Sequence, residues 1–291
     1  MAKDLIIGGA SNYDWNHLKH WVLSIKRSGF KGDIVLCASN IHKDTIKKLT
    51  DEGVAVALFG ERQGDYFVDN TPGVPHVKRF FFIWDYLRQT KEAYRFVITT
   101  DTRDVVFQSD PSAFLERKLI TSTIICSSEG LLYKDEPWGN QNLKEALGEY
   151  YHMLYKDNLI YNVGTIAGYK EDVEGLLNIL FNLSINRPIP VVDQAMFNFL
   201  IRQSPIVDTT LLSTNITGWA IQLGTTRRAV ESGAGDLGKN GDLAYYDRVY
   251  KDLQPKFDGS SVKTPSGADY CIVHQWDRVP EIKEWVEKTY V

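Results

Sequence analysis

Several short runs of this chain are apolar at every position, four of them Leu5-Ile6-Ile7, Ile34-Val35-Leu36-Cys37, Phe96-Val97-Ile98 and Ile124-Ile125-Cys126. An alternating strand buries one face, whereas a strand apolar throughout must be covered on both. Between the runs lie segments with helical spacing, such as Leu18, Trp21, Val22 and Ile25, and then Val77, Phe80, Phe81 and Trp84. Doubly covered strands separated by helices specify a mostly parallel α/β sheet of Rossmann-like type. The strand ends read GGAS, ASN, DTRD and SSE, small, polar or acidic each time. Open parallel sheets bind ligands at the carboxyl ends of their strands, so these ends predict one shared site.

The 291 residues suffice for one large α/β domain. No internal repeat or linker divides them, which predicts a single domain over 1–291 with a functional C-terminal extension. After the fourth run the pattern predicts helices near 142–155, 171–184 and 193–203, and a last strand at Tyr270–Val273. The Gly-rich stretch at 231–242 predicts a mobile loop. A net charge of −4 gives no general attraction to nucleic acid. No apolar segment approaches the length of a membrane span. The chain runs into its first strand without a leader, and Cys37 and Cys126 lie in apolar runs as buried thiols. A reducing, cytoplasmic location is therefore expected.

In DTRD, Asp101 and Asp104 place two carboxylates within one turn, followed at once by a second apolar run, Val105-Val106-Phe107. Close carboxylates repel unless a cation sits between them, and a hard divalent cation accepts such ligands when water or phosphate oxygens complete its shell. The pair predicts a metal site.

The arrangement resembles the aspartate motif of GT-A-fold, nucleotide-sugar-dependent glycosyltransferases, especially the glycogenin-like family 8 and related viral and bacterial transferases. In that family the usual form is Asp-any-Asp. In this chain two residues separate the acids, which leaves open which carboxylate takes the metal and which the donor ribose. Other segments resemble the family's motifs in order. The first strand end, Ala10-Ser11-Asn12-Tyr13, is similar to its nucleotide-binding opening. In VPHVKRFFFIWDYL, Arg79 resembles the basic residue that reaches the donor, with Lys78 left as a solvated charge. YNVG, with Asn162 and Gly164, resembles the strand under the donor sugar. Asp193-Gln194 resembles the Asp-Gln helix start, where Asp193 is also a natural N-cap. VHQWDR resembles the C-terminal element whose histidine, His274 in this chain, completes the metal site.

The resemblance implies a metal-dependent glycosyltransferase. Residues 1–130 would form the nucleotide-binding half, and 131–291 the acceptor-side half with the extension. The donor would be a nucleotide sugar, UDP-linked, and the acceptor a carbohydrate or glycosylated molecule. Asp101, Asp104 and His274 would hold Mn2+ or Mg2+, with Arg79 or Arg103 clamping the diphosphate. Asp193 and Asn162 would orient the sugar, Glu129 would face the acceptor hydroxyl, and the family likeness implies retention. Trp138, Trp219 and Trp276 fall in predicted loops as candidates for stacking on sugars, while Trp84 belongs to the core. The rival enzyme, a sugar-phosphate nucleotidyltransferase, calls for a basic phosphate loop after the first strand, and GGASNYDWN has no Lys or Arg. An inactive, carbohydrate-binding relative is the rival that is not an enzyme.

Overall fold

A computed structural model describes residues 2–187, 189–234 and 243–291, apart from the side chain of Tyr245. Residues 235–242, most of the stretch expected to be a mobile loop, lie outside the described residues. The chain opens with β1 (Lys3–Ser11), α1 (Trp15–Arg27), β2 (Asp33–Ser39), β3 (Ile41–His42), α2 (Lys43–Asp51) and β4 (Ala55–Leu58). A hairpin of β5 (Glu61–Gln63) and β6 (Tyr66–Val68) precedes α3 (Pro75–Gln89), β7 (Tyr94–Thr100), β8 (Val105–Phe107) and α4 (Pro111–Lys118). Then follow β9 (Ile124–Leu132), α5 (Pro137–Tyr155), β10 (Leu159–Tyr169), α6 (Lys170–Ser184), α7 (Asp193–Leu200), α8 (Ile206–Thr209) and β11 (Thr210–Ser213). The C-terminal part carries β12 (Ala220–Gln222), α9 (Arg227–Ser232) and α10 (Leu243–Tyr250). It ends with the pair β13 (Lys256–Phe257) and β14 (Val262–Lys263), then β15 (Ile272–His274) and α11 (Pro280–Thr289).

Seven strands form the central sheet in the order β11-β9-β10-β7-β1-β2-β4. It is mostly parallel; β10 alone runs against its two neighbours. The apolar runs are covered on both faces, as their composition requires. Leu5, Ile7, Val35, Cys37 and Val97 face a core closed by α3, α6 and α7. Ile6, Leu36, Phe96 and Ile98 face the opposite core, closed by α1 and α4. Local chemistry starts the helices where they start. Asp14 caps α1, its side chain accepting the His17 N–H, and Asp110 caps α4, with Pro111 in the first turn.

A small second sheet, β12-β15-β8, carries the end of the chain back to the DTRD turn. In it His274 pairs with Val105 on one side and with Gln222 on the other.

Several expectations are corrected. Glu129 lies inside β9, which continues to Leu132 because β10 pairs along it. His274 lies within the last strand, not after it. Lys78 is not a solvated charge: it is buried and ion-paired with Asp69 from the segment after the β5–β6 hairpin. Trp219 and Trp276 are buried in apolar clusters, because the small sheet and α11 close over them. Trp84 is only partly buried, packed against the core. The helix expected at 142–155 begins at Pro137, with Glu136 accepting the N–H groups of Trp138 and Gly139. α7 ends at Leu200.

Asp4 anchors the edge of the fold. The β1–β7 register shifts between Lys3 and Leu5. There the carboxylate takes both forks of Arg95 (2.9 and 2.6 Å) and the Phe96 N–H (3.1 Å). Burial alone would raise its pKa, but hydrogen bonds from Arg95, Ser112 and Phe96 outweigh burial and lower it below the ordinary 3.8. A depressed carboxylate stabilises the fold above its unfolded pKa and loses that contribution as pH falls through the folded one. Asp4→Asn should therefore cost about 1.5–3 kcal/mol at neutral pH. In urea unfolding, the gap to wild type should close as pH drops below 3.8.

Candidate active site

The β7–β8 connection holds the two acids, and the β8–β15 pairing brings the histidine to them. His274 Nε2 lies 3.4 Å from Asp101 Oδ2 and 3.5 Å from Asp104 Oδ1. One ligand atom from each of the three lies within 4.8 Å of the others. The outer oxygens are held by arginines: Arg79 donates to Asp101 Oδ1, and Arg103 to Asp104 Oδ2 at 2.9 Å. Burial alone would raise the Asp104 carboxyl, but His274, Arg103 and Arg278 outweigh it and hold it at about 2.

Arg79 also reaches Asp193 Oδ2 at 3.2 Å, joining α3 to α7. Its backbone can come so close because Gly9 on β1 has no side chain; a Cβ there would stand 2.7 Å from Arg79 Cβ. Gly164 is needed for a similar reason. A Cβ would lie 2.7 Å from Asp101 Oδ2 and 2.8 Å from His274 Cε1, between the groups that converge. The Gly164 carbonyl accepts the Asp101 N–H at 2.9 Å, and its own N–H donates to Asn162 Oδ1 at 2.7 Å. Asn162 Nδ2 and Gln194 Nε2 both donate to Glu129 Oε1, at 2.9 and 3.1 Å. Arg103 also reaches Asp277 at 3.0 Å, tying the DTRD turn to the C-terminal element.

These groups line a cavity of about 410 Å3. Of the residues singled out in the sequence, Tyr13, Arg79, Asp101, Arg103, Asp104, Glu129, Asn162, Gly164, Asp193, Gln194 and His274 line it. Ala10 and Ser11 do not; they line an adjoining cavity of about 430 Å3 together with Asn40 and Lys78. Gly9, Tyr13, His76 and Arg79 form the wall between the two. Asn12 is exposed at φ 61° and lines neither. Half-exposed Trp138 lines the first cavity from the first turn of α5, not from the loop expected, and alone of Trp138, Trp219 and Trp276 it is not buried.

Sequence reasoning missed Thr102, Gln222, Gln275 and Arg278. Thr102 is buried and donates to the Gly9 carbonyl at 3.3 Å. The Gln275 N–H donates to the Asp104 carbonyl at 2.7 Å, and its Oε1 accepts the Gly224 N–H at 2.9 Å. Gln222 Oε1 lies 2.6 Å from His274 Nδ1. The available signal was a polar residue closing the apolar triplet Trp219-Ala220-Ile221.

The donor set fits a divalent cation. Two carboxylates and an imidazole converge within a small radius, and a nitrogen ligand among oxygens suits a transition ion such as Mn2+. No family model and no curated protein matches the chain. Among solved structures, it is similar over 98% of its length to the WbbM bifunctional glycosyltransferase, at TM-score 0.60 and 12% identity. It is also similar over its whole length to the glycosyltransferase GlyE of Streptococcus pneumoniae TIGR4, at TM-score 0.50 and 12% identity. The chain spans 50% of the first protein and 64% of the second. The architecture is thus that of glycosyltransferase folds of GT-A type. Among the described residues, no helix is long and apolar enough to cross a membrane.

Asp193 is not the cap of α7. Val192 holds that position, with no side-chain capping bond, and Asp193 faces Arg79 instead. Asparagine would serve equally well as a cap, but it cannot replace the charge beside a half-buried guanidinium. Asp193→Asn should lower stability by about 1–2 kcal/mol in urea unfolding. An unchanged midpoint would contradict the ion pair.

Proposed function

We propose that this chain transfers a sugar from a UDP-linked donor to the hydroxyl of a carbohydrate or glycosylated acceptor, using Mn2+ or Mg2+ held by Asp101, Asp104 and His274. The observation that carries the proposal is the position of His274 Nε2, 3.4 and 3.5 Å from oxygens of two different carboxylates. The fold shared with the two transferase structures is consistent with it. A divalent ion there supplies positive charge against the diphosphate leaving group as it separates.

The chain's own residues have separable tasks. Arg79 and Arg103 offer guanidinium groups to phosphate oxygens. Asp193, Asn162, Gly164 and Gln194 orient the donor sugar, and holding reactants in register is itself a large part of catalysis. Ala10, Ser11 and Tyr13 lie beside the second cavity, which has room for the nucleoside end, with Asn12 on its exposed rim. Glu129, held by two amides, faces the acceptor side. The resemblance of the sequence motifs to family 8 favours retention of the anomeric configuration. We read residues 1–291 as one catalytic unit, and three buried free thiols fit a reducing, cytoplasmic setting.

Titration of Mn2+ into the protein with UDP present tests the proposal. His274→Ala should weaken Mn2+ binding by more than about tenfold while the protein stays folded by circular dichroism. Equal affinities for wild type and variant would remove His274 from the site.

A further inference from the structure

Gln222 is wholly buried at the end of β12, directly across from His274 in the sheet register. A primary amide shut away from water must satisfy its donors and acceptors inside the protein. Leucine or methionine at this point would pack against the same apolar neighbours without that demand. The amide does find two partners. Its Nε2 donates to Thr165 Oγ1 at 2.9 Å, and its Oε1 lies 2.6 Å from His274 Nδ1. Thr165 is itself wholly buried on β10, so the amide sits between two fixed points.

With the amide oxygen towards the ring, Nδ1 has to carry the hydrogen. The ring must be neutral to ligate a cation, and a neutral imidazole has only one N–H, so Nε2 is left with its lone pair. That lone pair faces Asp101 Oδ2 and Asp104 Oδ1. Three electron-rich atoms converging in this way repel one another unless a proton or a cation lies between them. The opposite tautomer would put a proton where the cation belongs.

We infer that Gln222 is a positioning residue: through its hydrogen bond to Nδ1, with Thr165 orienting the amide, it holds His274 in the tautomer whose Nε2 can ligate a metal. The inference rests on the proposed cation site and adds the device that keeps the site ready. Partners of this kind beyond the metal ligands typically govern metal affinity by about 10- to 100-fold.

Two measurements separate this inference from the reading beneath it. The first is the 15N spectrum of histidine-labelled, metal-free protein at a pH high enough that the ring is neutral, with the His274 signals identified by their loss in His274→Ala. Wild type should show a protonated Nδ1 and an unprotonated Nε2, and Gln222→Leu should lose that pattern. The second is Mn2+ titration. Gln222→Leu should bind about 10- to 100-fold more weakly, while Gln222→Glu, which keeps an acceptor for Nδ1–H, should stay close to wild type. Should Gln222→Leu fail to fold, Thr165→Val serves in its place, since it removes only the partner that orients the amide; it should weaken Mn2+ binding in the same direction. A wild-type His274 protonated at Nε2, with Mn2+ still bound, would overturn the role of Gln222 alone. The expected tautomer with no Mn2+ binding would overturn the cation site, and with it the positioning role of Gln222.

Discussion

Asp101, Asp104 and Asp193 bring three carboxylates to one cavity wall, and the need to offset their repulsion shapes what surrounds them. Arg79 has to lie between Asp101 and Asp193, so α3 must press against β1, and only a glycine at position 9 leaves room. Arg103 has to lie between Asp104 and Asp277, which draws the DTRD turn and the C-terminal element together. His274 has to face both acids, and for that the last strand must pair with β8. The C-terminal part of the chain is thus tied to the central sheet by charge as well as by packing.

Beneath the charged layer lies a polar one with almost no access to water. Asn162, Gly164, Thr165 and Gln222 are buried and bonded to one another's neighbours. Ser127 Oγ donates to the Ala220 carbonyl at 2.5 Å, joining β9 to β12 where the two sheets meet. A satisfied buried network of this kind is rigid, since any displaced member leaves an unpaired polar group in a low-dielectric setting. The side chains facing the cavity are therefore held by groups that cannot easily move, which is what a preorganised site requires.

Much of this was legible in the sequence. Wholly apolar runs announced doubly covered strands, and their polar ends announced the cavity. What escaped depended on contacts between distant segments. Lys78 read as a surface charge because its partner, Asp69, comes from a separate segment. Trp219 and Trp276 read as loop residues because the strands that bury them are three residues long and carry no periodicity. Asp193 read as a sugar-orienting residue that could also cap its helix; its ion pair with Arg79 depends on a contact between distant segments. Glu129 read as a strand end because small polar residues usually close a strand, but pairing with the antiparallel β10 carries β9 past it.

The spacing of the two acids departs from Asp-any-Asp, and the geometry shows how the turn takes up the added residue. Two residues separate Asp101 from Asp104, and the turn disposes of them in opposite directions. Thr102 is buried against β1, whereas Arg103 turns towards Asp277. Both carboxylates are left facing the same point. Each has one oxygen on an arginine and the other towards His274: Oδ1 and Oδ2 of Asp101, Oδ2 and Oδ1 of Asp104. The arginines offset charge on the outer oxygens and leave the inner ones to His274. Neither acid is singled out for a different task by this arrangement. The added residue widens the turn without separating the two acids, and His274, then Arg103 and Arg278, offset the charge of Asp104 where it is buried.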